Sequence, residues 1–193
     1  MTLSGWHYEK TDSRGFVAVP DLRKPARRMT RAQFVQEFPV PAILVVDRPE
    51  DSAEREPPAP GGGLPESSVA QGLQLLTASF ASHAILRYLN RVAFVCKRPG
   101  NLLTHLVSIG RSARNDISIG VDSVSKVHGY FSTSGEELYF TDHNSKNGSF
   151  LNDRSVEAGD KNPLRDGDLL RIGVEVTFEY LSPGALFDRL RSG

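Results

Sequence analysis

The sequence predicts a mainly β protein: an antiparallel β-sandwich of about 11 short strands with a small α/β extension at its N-terminus. Three observations lead there. From Arg91 onward, short apolar-rich runs alternate with turn residues and no helical period intervenes. Before Pro49 there is only one helical pattern and one β-branched run, too little to enclose a sizeable core alone. Between these parts, residues 49–68 hold five prolines and three consecutive glycines.

In chain order, residues 1–48 form the extension. Thr30 can cap a helix whose Phe34, Val35 and Phe38 share a face, and the helix stops before Pro39. Ala42-Ile43-Leu44-Val45-Val46, bounded by prolines, reads as a strand. Residues 49–68 have little apolar surface to offset the entropy of ordering, so a flexible linker is expected. In 69–90, Leu73, Leu76, Phe80, Ala84 and 86–89 recur at helical spacing, which predicts a helical segment.

Residues 91–182 are expected to form the sandwich. Arg91–Lys97 and Leu103–Ile109 flank the turn Arg98-Pro99-Gly100-Asn101, which suggests a hairpin. Further strands are expected at 117–119, 129–132, 137–141, 149–151, 168–172 and 174–181. Pro183 stops the last of them, and residues 183–193 read as a short C-terminal helix or tail.

Composition narrows the function. The formal net charge is zero. Lys/Arg and Asp/Glu number eight and five in residues 1–48, three and five in 49–96, and twelve and thirteen in 97–193, so no part has the positive excess of a nucleic-acid binder. The run Arg23, Lys24, Arg27, Arg28, Arg31 reads as a solvated helix face. The lone Cys96, within an apolar run, excludes an internal disulfide and a cysteine metal cluster and predicts a buried, inert thiol. There is no basic-then-apolar leader pattern and no run of about 18 apolar residues, so a cytoplasmic protein without direct membrane insertion is expected.

The functional-looking residues fall in turns of the β region. They are Gly110-Arg111-Ser112 with Asn115-Asp116; Ser125-Lys126-Val127-His128; and Asp142 through Asn152, which contains Ser145, Asn147 and Gly148. A fourth cluster, Gly167-Asp168 to Gly173, is more structural. A doubly ionised phosphate has three acceptor oxygens and calls for a cation with several neutral donors. Arg111 supplies a planar fork, Ser125 and Ser145 hydroxyls on tight loops, and Asn147 an amide that can pair with a peptide backbone. Loops at one end of a rigid sandwich can hold such groups together.

In this order and at this spacing, the four clusters resemble the forkhead-associated (FHA) domain. The resemblance covers about 90 of 193 residues and is silent on the first half. It implies a phosphothreonine-dependent peptide-binding module in protein–protein interaction, downstream of a serine/threonine kinase of a bacterial type. Its implied partner is a phosphorylated protein, such as the kinase itself. Arg111, Ser125, Lys126 and Ser145 would face the phosphate or adjoining peptide, and Asn147 the ligand backbone. Gly110, His128 and Gly148 would support the loops, Gly110 by letting the chain turn. Asp142 reads as a turn-stabilising carboxylate. Asp153 stands where the family has glycine, and aspartate tolerates a left-handed backbone moderately well. No catalytic residue set, cofactor or metal is expected, and nucleic acid is not an expected partner. The alternative function is a phosphorylation-independent scaffold using the same sandwich.

Overall fold

The computed structural model describes residues 11–47, 84–101 and 105–192. The expected linker at 49–68 and most of the helical segment at 69–90 lie outside them. Among the described residues, twelve strands form two sheets. The first contains β1 (Phe16–Ala18), β2 (Ala42–Val46), β3 (Arg91–Phe94), β8 (Ser149–Leu151), β9 (Arg154–Val156), β11 (Leu169–Ile172) and β12 (Val176–Leu181), in the order β1-β3-β2-β12-β11-β8-β9. The second contains β4 (Val107–Gly110), β5 (Ile117–Ser118), β6 (Gly129–Ser134), β7 (Glu137–Asp142) and β10 (Asn162–Leu164), in the order β10-β7-β6-β4-β5. All strand pairs are antiparallel except β4–β5.

The segment 11–47 is built into the sandwich. β2 lies between β12 and β3, matching Thr177 to Val46 through Leu181 to Ala42 on one side and Ala42 to Phe94 through Leu44 to Val92 on the other. Its unbroken apolar sequence has a physical reason. Ile43 and Val45 face the interior between the sheets, while Ala42 and Leu44 face a layer of helices on the outer side. A strand covered on both faces has no polar alternation to show.

The helical layer consists of α1 (Val19–Arg28), α2 (Arg31–Glu37) and α3 (Pro183–Ser192). Thr30 caps α2 through a complete capping box with Gln33. Phe34 stacks on Phe38 and tilts against Phe187 of α3, and Phe38 stacks on Phe94 of β3. Helix α1 was read only as a basic run. Its Val19, Leu22 and Ala26 point inward while Lys24, Arg27 and Arg28 face solvent, the solvated basic face expected.

The expected hairpin of 91–97 with 103–109 does not form, because β3 and β4 belong to opposite sheets. The reason is the buried carboxylate of Asp116. It accepts Lys97 Nζ at 2.9 Å, the Arg98 N–H at 2.7 Å, and both the amide and hydroxyl of Ser108 at 2.8 and 2.9 Å. These bonds carry the chain across the sandwich edge rather than along a ladder. Cys96 is buried there, its thiol pushed up to about 12 by desolvation and by Asp116.

Strands β1, β9 and β10 were not anticipated, each being three residues long. β8 and β9 form a two-residue hairpin through Asn152 and Asp153, both left-handed at φ 49° and 65°. That is the pattern of a type I′ turn, so Asp153 adopts the backbone that glycine would.

Candidate functional site

The loop clusters read from the sequence come together at one end of the sandwich, where three connections meet: 111–116, 119–128 and 143–148. Backbone bonds tie them. Arg111 and Ser112 donate their amides to the carbonyls of Ser125 and Lys126, at 2.8 and 3.1 Å. Buried Asn115 adds two donations, to the carbonyls of Ser112 and Lys126 at 2.8 and 2.7 Å. Gly110, the last residue of β4, sits under this crossing. A Cβ there would lie 2.7 Å from the Lys126 carbonyl and 2.9 Å from the His128 amide, so the absence of a side chain is required by close approach rather than by a turn.

His128 joins the second and third loops. Its fully buried ring accepts the Ser125 N–H at Nδ1, 3.1 Å away. The ring proton therefore resides on Nε2, which faces the Gly148 carbonyl at 3.2 Å. Burial lowers its pKa below the ordinary 6.5, opposed by Asp142 at 3.7 Å and by the Gly148 carbonyl. Gly148 itself is left-handed, at φ 72°.

Asp142 organises the third loop. It accepts the amide and hydroxyl of Ser145 at 2.8 and 2.7 Å, and the hydroxyl of buried Ser149. This is the turn-stabilising carboxylate expected, and it commits the hydroxyl hydrogen of Ser145. Ser125 differs. Its hydroxyl oxygen accepts the Lys146 N–H at 3.0 Å, which leaves its own proton for a ligand. Asn147 donates one amide hydrogen to the Ser123 carbonyl at 2.7 Å, and keeps its second hydrogen and its carbonyl oxygen.

The charges face outward. Arg111 is exposed, its Nη1 3.3 Å from the carboxylate of fully exposed Asp122. Lys126 and Lys146 are exposed on the neighbouring loops. The structure thus gathers Arg111, Ser125, Lys126, Ser145 and Asn147 on linked loops, with Gly110, His128 and Gly148 holding them from below. Sequence reasoning passed over Lys146 and Asp122. A basic residue inside the Asp142–Asn152 motif was a signal for the first, while the second showed none.

The sandwich thus presents a polar, cationic loop surface held from below by buried loop staples. Residues 107–173 match the family model described as the FHA domain. Similar solved structures include the FHA domain of an Arabidopsis thaliana hypothetical protein (24% identity, TM-score 0.39, covering 40% of this chain and 66% of that one). Another is the FhaA FHA domain in complex with the intracellular domain of Rv3910 (26%, 0.36, 40% and 80%). A third is the N-terminal FHA domain of Rad53p from S. cerevisiae with a phosphothreonine peptide (16%, 0.41, 74% and 93%). No curated protein matches the sequence.

Proposed function

We propose that the 111–116, 119–128 and 143–148 loops bind a peptide phosphorylated on threonine, making the chain a non-catalytic module of protein–protein interaction. The observation that carries this reading is the bond from the Lys146 amide to the Ser125 hydroxyl oxygen. It leaves the Ser125 proton to donate, on a loop whose carbonyl already holds the Arg111 amide. A guanidinium fork and a hydroxyl donor on linked loops suit a phosphate dianion. Lys126 adds a cation, and Asn147 pairs with the ligand backbone on either side of the phosphoresidue.

Phosphothreonine, rather than phosphate in general, is supported by the match to the FHA family model, since the donors would suit any phosphate. The phosphorylated partner is the product of a serine/threonine kinase, or the kinase itself. Ser145 contacts the phosphate only by exchanging its bond to Asp142, so it contributes less than Ser125.

Isothermal titration with paired phosphorylated and unphosphorylated peptides tests the reading. The wild-type chain should bind only the phosphorylated member, at roughly micromolar Kd. Arg111→Ala should abolish that binding while leaving the circular dichroism spectrum unchanged. Equal affinity for both peptides would favour the phosphorylation-independent scaffold.

A further inference from the structure

A small cleft of about 60 Å³ opens where α1 and α3 meet the outer face of the seven-stranded sheet. Leu44, Val92 and Leu186 are among its apolar lining, and Arg23, Asn90 and Arg189 are its polar lining. It is small beside the roughly 300–1,000 Å³ pockets of drug-sized ligands, yet about twice the 30 Å³ share of a water molecule. Its size suits a group of a few atoms.

Arg23 stands at the edge of the buried stripe of α1, four residues after Val19 and one after Leu22. A leucine there would serve packing alone, whereas arginine brings a charge. Its Nε is buried, and its side chain has no hydrogen-bond or ion-pair partner among the described residues. Buried donors are nearly always paired, and those on charged groups cost the most when left unmade. The buried Nε of Arg171 also lacks a hydrogen bond, but its guanidinium lies 3.8 Å over the Phe150 ring and donates from Nη1 to the Gly173 carbonyl. Arg23 has no such substitute.

The charge around the cleft is positive. Arg189 donates from Nε to Glu179 at 3.0 Å, which leaves its two Nη groups to donate elsewhere. The acidic residues of the two helices, Asp21 and Asp188, pair with Lys24 and Arg31. Among the described residues, no carboxylate lines the cleft. Arg27, one turn after Arg23 on α1, is exposed and adds to the field. One guanidinium without an anion and a second with donors to spare is an arrangement suited to an oxyanion.

We infer that the Arg23–Arg189 cleft is a site for a small oxyanion, a carboxylate or a phosphate, which accepts from the buried Arg23 Nε and ties α1 to α3. It shares no residue with the 111–148 loops and does not depend on the phosphopeptide reading.

The test follows the arginine Nε–Hε signals of the full chain by NMR while inorganic phosphate or acetate replaces chloride at constant ionic strength. Arg111→Ala in the background keeps the phosphate loops out of the readout. The Arg23 signal, identified by its absence in Arg23→Lys, should shift saturably with a roughly millimolar Kd for at least one anion. The melting temperature should rise by about 2–4 °C near saturation. A response to acetate alone would assign a carboxylate, and one to phosphate alone a phosphoryl group. Arg23→Lys should abolish the rise, and Arg189→Gln should weaken binding about threefold. No saturable shift with either anion, which would leave Arg23 Nε to water, overturns the site. So does a melting rise that survives both substitutions. Should Arg23→Lys not fold, through-bond assignment of the Arg23 signal and the Arg189→Gln titration decide alone.

Discussion

The imidazole of His128 accepts the amide proton of Ser125 at 3.1 Å, so a buried ring in one loop sets the backbone of the residue proposed to face the phosphate. The same ring reaches the Gly148 carbonyl from its other nitrogen, and both bonds require the neutral tautomer with hydrogen on Nε2.

A pH dependence follows from that tautomer. Burial keeps the folded-state pKa of His128 below the 6.5 of the unfolded chain. Between those two values the unfolded state binds more protons, so stability falls as the pH drops below about 6.5 and levels once the folded pKa is passed. Above that range His128 contributes no slope. Urea titrations from pH 7.5 to 5 should show this decline, and His128→Gln should lessen it.

The two serines separate by function. Ser125→Ala should weaken phosphopeptide binding by about tenfold, since it removes a charge-assisted donor and leaves the Lys146 amide without its acceptor. Ser145→Ala should lower unfolding stability by about 1 kcal/mol, because Asp142 loses a donor, and change affinity less. Calorimetric titration and thermal melts of both variants check the split. Equal affinity losses would mean that Ser145 leaves Asp142 when ligand arrives.

Asp122 would compete with the proposed phosphate for Arg111. As an exposed pair at 3.3 Å it contributes little to the fold. Asp122→Asn should leave the melting temperature unchanged and raise phosphopeptide affinity about two- to threefold at low salt, with the difference shrinking as salt is added. Affinity measured at two ionic strengths decides the matter.

The segment matched by the family model, residues 107–173, lacks β1, β3, β2 and β12, four adjacent strands of the seven-stranded sheet. Expressed alone, 107–173 should be unfolded by circular dichroism and by amide dispersion in NMR, whereas the full chain should be folded.

Much of the sandwich was legible because its strands carry local signals. Ala42–Val46 and Ser149–Leu151 were read at their observed bounds, and Thr30 announced its helix as an N-cap. What stayed hidden depends on partners distant in sequence. The apolar residues of α1 are only three in ten and Pro25 interrupts it, so its helical character depends on packing against α3 and the sheet. Nothing local to Arg91–Ile109 reveals that Asp116 divides it between sheets. In the loops, residue identities were readable but their commitments were not. That Ser145 spends its proton on Asp142 while Ser125 retains its own is a property of the folded geometry.

The insertion of β2 also means that the two ends of the described fold are stitched by a strand, through five register positions against β12 and three against β3. The extension before residue 48 is therefore a working part of the sandwich, and removing it would bare the edges of β12 and β3 that it now pairs.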